Sequence, residues 1–213
     1  MSIILLLLRL PILVVHILVG LFTILFFPKE PKNFKNSHYR IMMLWMNILS
    51  SILGIKVDIR GIPDQSANLF VSNHVTYLDI IIINKLLPVN FIAKEEISSW
   101  PVIGRLASKT GTLFIKRGDN VESSKMIYEM EERFKLQNKI VFFPEGKIGN
   151  GKRVRKFHYK LFKSIENKEL YIQPIAIRYP SGYPINNNYS EIISDKSLKG
   201  EMLSLYLKFL MRR

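Results

Sequence analysis

Residues 68–87 read NLFVSNHVTYLDIIIINKLL, and this stretch decides the fold. Residues 68–72 are short, β-branched and apolar, as a buried strand requires. A polar turn, Asn73 to Thr76, follows, and residues 77–87 then read as a helix. The same strand-then-helix unit recurs downstream. Residues 56–60, 89–93, 111–115, 139–143 and 170–178 read as further strands, and 102–109, 121–137 and 158–166 as intervening helices. That alternation predicts an α/β domain whose central, mostly parallel sheet is flanked by helices. In such sheets ligands gather beyond the carboxyl ends of the strands, so the residues there are the candidates for chemistry.

The flanks differ from this domain. Residues 3–27 are apolar except for Arg9, His16 and a few small residues; a helix of that length reaches about 37 Å, enough for a hydrocarbon core of about 30 Å. Arg9 and Pro11 inside the run make an interfacial helix as good a reading as a span. A cleavable signal peptide is disfavoured, because the charge lies inside the apolar run and no small-x-small site follows. Residues 39–53 carry Ile41, Leu44, Trp45, Ile48, Leu49 and Ile52 at helical spacing and end at Gly54. The expected organisation is therefore a two-helix membrane anchor over residues 1–54, an α/β domain over 55–180, and an asparagine-rich C-terminal appendage over 181–213.

Composition adds a partner. The 31 Lys and Arg against 17 Asp and Glu give a net charge of +14, which favours an anionic surface or substrate. Lys29, Lys32, Lys35 and Arg40 directly follow the first apolar run and place the remainder on the cytoplasmic side, against the anionic inner leaflet. No nucleic-acid partner is expected. The absence of cysteine removes disulfides, thiolate metal sites and a cysteine nucleophile.

Each predicted strand ends in residues with chemical potential. His74 and Asp79 can meet if His74 lies in the loop and Asp79 in the first helical turn, giving a base and the group that orients it. Lys94 closes the strand at 89–93, and Lys116 and Arg117 close the one at 111–115; Arg117 suits bidentate contact with a phosphate. Residues 141–146, VFFPEG, open a glycine-rich basic loop. Two rival chemistries fit less well. Gly146 to Arg153 nearly matches a phosphate-binding loop, but Arg153 replaces the hydroxyl that would ligate magnesium. Ser72 could serve as a nucleophile for His74 and Asp79, yet residues two apart on a strand do not fit, and no G-x-S-x-G elbow exists.

Taken in order, the segments resemble the 1-acylglycerol-3-phosphate (lysophosphatidate) acyltransferase family. Asn73 to Asp79 is similar to its NHxxxxD block, Phe91 to Arg117 to its second block, Phe143 to Gly146 to FPEG, and Ile172 to Tyr179 to the fourth block with its central proline. The resemblance spans residues 40–180. It implies acyl transfer from acyl-CoA or acyl carrier protein to the free hydroxyl of a lysophospholipid, with no cofactor or metal required. His74 would be the general base and Asp79 its orienting group. Asn73, Lys94, Lys116, Arg117, Glu145 and Gly146 would bind substrate, and Pro144 and Pro174 would shape the acyl tunnel or the structure around it. The departures bear on the acceptor: Lys147 and Ile148 stand where the family commonly has hydroxyl and guanidinium donors, and residues 157–162 resemble a variant seen in lyso-ornithine lipid acyltransferases. The chain also stops sooner after the fourth block than many relatives do, which would impair activity if strands are missing there.

Overall fold

The computed structural model describes residues 2–30, 34–116, 120–149, 153 and 155–179. Five strands form one wholly parallel sheet: β1 (Ala67–Ser72), β2 (Val89–Lys94), β3 (Leu113–Ile115), β4 (Lys139–Phe142) and β5 (Tyr171–Ile175), in the order β3-β2-β4-β1-β5. Five helices accompany them: α1 (Ser2–Thr23), α2 (Asn36–Ile52), α3 (Leu78–Leu86), α4 (Ile103–Lys109) and α5 (Asn120–Lys135).

Side-chain alternation sorts the two sheet faces. Leu69, Val71, Ile140 and Phe142 point to one side, where they pack on Met126, Met130 and Phe134 of α5. Phe70, Phe91 and Val141 point to the other side, packing on Ile83 and Leu87 at the end of α3. A third layer lies beyond α3, because Leu49, Leu53 and Ile55 form one core with Leu78 and Ile81. The two N-terminal helices are thus joined to the α/β domain through α3 rather than standing apart from it.

Two glycines make that joint possible. A Cβ on Gly20 would lie 2.8 Å from the Trp45 indole, so only glycine lets α1 and α2 approach this closely. Gly54 has φ +70° and ends α2, with its N–H on Ser51 O at 3.0 Å. The Arg9 guanidinium of α1 lies 3.3 Å from where its Cβ would be. Arg9 therefore sits against the carboxyl end of α2, where a cation complements the helix dipole. At the opposite end of the hairpin, the Tyr39 hydroxyl lies 2.9 Å from Asn90 Oδ1 and 2.7 Å from Asn138 Oδ1, tying α2 to the amino ends of β2 and β4. Burial pushes the Tyr39 phenol up to about 12, so it stays protonated across the physiological range.

Three expectations need correction. Residues 56–60 are not a strand: they pair with none of the five strands, and the segment that follows is held by Gln173, which donates to Ile62 O at 3.3 Å and accepts from Asp64 N at 2.8 Å. Residues 158–166 form a 3-10 segment, Tyr159–Ile165, not an α-helix. The last strand stops at Ile175. The expected appendage at 181–213 lies outside the described residues.

Candidate active site

His74 leaves the sheet just beyond the carboxyl end of β1, and Asp79 stands in the first turn of α3. His74 Nδ1 and Asp79 Oδ2 are 2.8 Å apart. The carboxylate is fully buried and needs donors, and it has them. Oδ2 also accepts from Val75 N at 2.7 Å and Thr76 N at 3.0 Å, while Oδ1 accepts from the Tyr179 hydroxyl at 2.6 Å. Facing a carboxylate, Nδ1 carries the proton, which leaves the Nε2 lone pair free. The imidazole lies flat on Phe143, with ring centroids 3.9 Å apart and planes 11° from parallel. Stacking and the Asp79 bond together hold the ring in one orientation.

The loop after β4 is fastened to this dyad. Glu145 is buried; its Oε1 accepts from His74 N at 3.1 Å and its Oε2 from Arg155 N at 2.8 Å. Gly149 N donates to His74 O at 2.6 Å and His158 N to Pro144 O at 2.8 Å. Glu145 is therefore a clamp between the histidine turn and the basic loop, with both oxygens engaged by backbone. Gly146, at φ +68°, turns the chain there and donates to Phe143 O at 3.0 Å. Gly146 and Gly149 have spent their amides on carbonyls, so neither offers its N–H to a phosphate. Ser72 is buried with its hydroxyl on Asn73 O at 3.0 Å, which removes it as a nucleophile.

Asn73 behaves as an extra rung of the sheet. Its amide donates to Ile177 O at 2.9 Å and accepts from Ile177 N at 2.7 Å, continuing the β1–β5 pairing past the last strand residue. Pro174 pairs in register with Val71 on the edge strand β5, where a proline removes no ladder bond from a second neighbour. Neither Pro174 nor the buried Pro144 borders the cavity described below.

The cations lie along the same edge. Lys94 ends β2 and the exposed Lys116 follows β3. At about 4.8 Å per strand, Lys94 lies roughly 10 Å from the His74 strand and Lys116 roughly 14 Å, so Lys94 is the nearer by one strand. Arg117 lies outside the described residues, as does Lys152; Arg153, Arg155 and Lys156 are exposed on the loop beside Glu145. Among the described residues no group of three His, Cys, Asp or Glu side chains is placed to hold a metal.

An apolar cavity of about 210 Å³ opens between the helical hairpin and α3, β2 and α4. Tyr77, Ile80, Ile81 and Asn84 present one face of α3 to it, Trp45 and Leu49 face it from α2, and Phe91 and Ala93 from β2. Phe91 packs on Phe143, at 6.1 Å between centroids, and Phe143 carries the His74 ring. One aromatic stack thus links the cavity wall to the dyad, although neither His74 nor Asp79 lines the cavity. Sequence reasoning anticipated the dyad but missed Tyr179, which is 100 residues from Asp79, and the cavity itself.

Residues 55–178 match the profile of the family described as Acyltransferase. The chain is 35% identical over 140 residues to a lyso-ornithine lipid O-acyltransferase of Pseudomonas aeruginosa, covering 66% of this chain and 54% of that one. It is 30% identical over 147 residues to a 1-acyl-sn-glycerol-3-phosphate acyltransferase of Neisseria gonorrhoeae, covering 68% and 57%. The chain spans about half the length of the curated relatives it matches. The crystal structure of the 1-acyl-sn-glycerophosphate acyltransferase PlsC of Thermotoga maritima shares the fold, with a TM-score of 0.57 at 18% identity over 81% of this chain and 72% of that one. With more than half its length matched by the family profile, the chain belongs to the acyltransferase family.

Proposed function

We propose that this protein transfers a fatty acyl group from a thioester donor to the free hydroxyl of a lysophospholipid-like acceptor. The observation that carries this reading is the His74–Asp79 dyad, joined through Phe143 to Phe91 on the wall of an apolar cavity, which supplies a base and, one aromatic layer away, a place for a hydrocarbon chain. His74 Nε2 takes the proton of the acceptor hydroxyl as its oxygen attacks the thioester carbonyl carbon. The C–O bond forms, the C–S bond breaks, and the imidazolium returns its proton to the departing thiolate. A thiol of pKa about 8.5 leaves readily, so no covalent acyl-enzyme is needed. Asp79 fixes the tautomer and stabilises the imidazolium.

Tyr179 acts here as a positioning residue. It touches Asp79 rather than substrate, so Tyr179→Phe is expected to lower kcat about tenfold, the effect of one hydrogen bond to a charged group, with KM unchanged. Steady-state kinetics on the folded variant check this. A change confined to thermal stability would assign Tyr179 to packing alone.

Two acceptors suit the site. A lysophosphatidate would place its phosphate against Lys94, Lys116 and Arg117, whereas a lyso-ornithine lipid is favoured by the resemblance of residues 157–162 and by the relatives bearing that name at 35% and 36% identity. Coenzyme A and acyl carrier protein are both suitable carriers, and the exposed Arg153, Arg155 and Lys156 suit the phosphate of either.

The same reading places α1 on the membrane, at its cytoplasmic face. By length and composition α1 could cross a bilayer. Yet Leu6 and Leu13 pack on the α2–α3 core, Gly20 on Trp45, and Phe27, just past its end, on Tyr39 and Met42, so one side of the helix is occupied along its length. A crossing would carry the α/β domain into the hydrocarbon. The opposite side exposes Leu8, Val15 and Phe22, which suits a helix lying in one leaflet. Replacing these three with Glu is expected to lower partitioning onto anionic vesicles by at least about 10³-fold, since each apolar side chain gains about 1.5–3 kcal/mol on burial. Cosedimentation with liposomes measures it, and undiminished binding would contradict the interfacial placement.

A further inference from the structure

Between Glu145 and the end of the 3-10 segment Tyr159–Ile165 the chain forms a basic strap that the dyad chemistry does not use. Residues 146–165 hold no Asp or Glu. Arg153, Arg155, Lys156 and Lys163 are exposed and meet no carboxylate among the described residues, while Lys160 contacts Asn120 Oδ1. Two aromatic side chains stand among these cations, Tyr159 at 68% exposure and Phe157 at 42%. The backbone beneath them is fixed. Arg155 N donates to Glu145 Oε2 at 2.8 Å and His158 N to Pro144 O at 2.8 Å. Phe162 packs edge-on against Phe142 of β4, with centroids 5.2 Å apart. Just beyond, Lys168 bonds Ser164 O at 3.0 Å and pairs with Glu131 of α5 at 2.6 Å. A fastened backbone that holds out cations and aromatics has already lost the freedom that binding would otherwise cost.

Placement decides the kind of partner. Leu161 and Phe162 pack with α5, on the sheet face opposite α3 and the helical hairpin. Three layer spacings of about 10 Å each therefore separate the 3-10 segment from the hairpin, roughly 30 Å in all. Charges are screened over about 8 Å at physiological salt, so a leaflet that holds α1 exerts little pull on this end of the strap. The other end lies one carboxylate from the base, since Glu145 Oε1 accepts from His74 N at 3.1 Å. A thioester arriving from water thus meets a basic, aromatic surface beside the dyad.

We propose that Arg153, Arg155, Lys156 and Lys163, with Phe157 and Tyr159, form the docking surface for an acidic carrier protein that presents the acyl thioester to His74. The proposal deepens the acyl-transfer reading of the dyad and rests on it. Complementary charge steers such a partner and fixes its register, and the aromatics supply the desolvated centre of the contact. A coenzyme A donor shares only the phosphate contact, because it has no protein surface to lay along the strap.

The test compares transfer from palmitoyl-CoA and from a purified acidic acyl carrier protein bearing the palmitoyl thioester, to the lysolipid the parent accepts best. The detergent-solubilised full chain is assayed beside three variants whose folds are checked by thermal melt. In two of them Arg153, Lys156 and Lys163 are changed together, to Gln or to Glu; the third combines Phe157→Ser with Tyr159→Ser. Arg155 is left in place because its N–H holds Glu145. The readout is the ratio of kcat/KM for the carrier-protein donor over the CoA donor, in which a phosphate contact common to both cancels. The Glu variant is expected to lower that ratio by at least about tenfold, as three exposed attractions become repulsions, with the Gln variant between it and the parent. The aromatic variant is expected to lower it by about tenfold as well. Added salt is expected to depress carrier-protein turnover more steeply in the parent than in the Glu variant. A ratio unchanged within about twofold in all three variants overturns the proposal; if the Glu variant then sediments less with anionic liposomes, the strap is a membrane contact instead. A parent that uses palmitoyl-CoA but not the carrier protein also overturns it and leaves acyl transfer standing. A parent that uses neither donor removes both readings.

Discussion

His74→Ala is expected to reduce acyl transfer by at least about 10³-fold, the upper part of the range that a positioned general base contributes. The loss is chemical rather than structural, because the bonds that hold the turn involve His74 backbone atoms. Its N–H donates to Glu145 and its carbonyl accepts from Gly149, and neither needs the imidazole. The truncated side chain surrenders its stacking on Phe143 and its bond to Asp79. Asp79 still keeps three donors, from Val75, Thr76 and Tyr179, so the buried carboxylate is not orphaned. Thioester turnover by the purified variant, alongside its circular dichroism melt, separates the two effects. Transfer at the parental rate from a folded variant would remove the proposed mechanism.

Asp79→Asn is expected to cost less, on the order of 10²-fold to 10³-fold, and for an electrostatic reason. An asparagine can keep its oxygen toward His74 Nδ1, Val75 N and Thr76 N and turn its NH₂ toward Tyr179, whose hydroxyl then accepts instead of donating. The tautomer and the turn survive that exchange. What disappears is the negative charge that steadies the imidazolium formed as the acceptor proton is taken. The expected signature is a fall in kcat with thioester binding little changed. A rise in KM at constant kcat would instead make Asp79 a substrate contact.

The elements legible in the sequence were those whose patterning is local. The run 68–72 followed by the turn at Asn73 foretold β1 and the dyad, because a strand, its turn and the next helix are set by adjacent residues. The strands at 89–93 and 139–143 were equally visible as buried apolar runs. Residues 56–60 misled because a β-branched run says nothing about whether it will find a pairing partner, and this one pairs with no strand of the sheet. The backbone bonds of Glu145 had no local signal, because the two N–H groups it accepts from lie 71 and 10 residues away. The same is true of Asn73, its amide meeting Ile177 across 104 residues. The cavity was illegible for a related reason. Its wall is assembled from the hairpin, α3, β2 and α4, and no one of these segments carries a signal of enclosing a space. Gly20, unremarkable in a hydrophobic run, and the contact of Arg9 with the end of α2 gain their meaning only when α1 and α2 are laid together.

The most direct test of the central claim is acyl transfer by the detergent-solubilised parent from a radiolabelled acyl-CoA to lysophosphatidate and to lyso-ornithine lipid, with thiol release measured in the same reaction. The account predicts a labelled diacyl product from at least one acceptor, thiol released mole for mole with it, and no labelled protein when the acceptor is omitted. Thiol release without labelled lipid, or label held covalently on the chain, would contradict direct transfer by a His74 base.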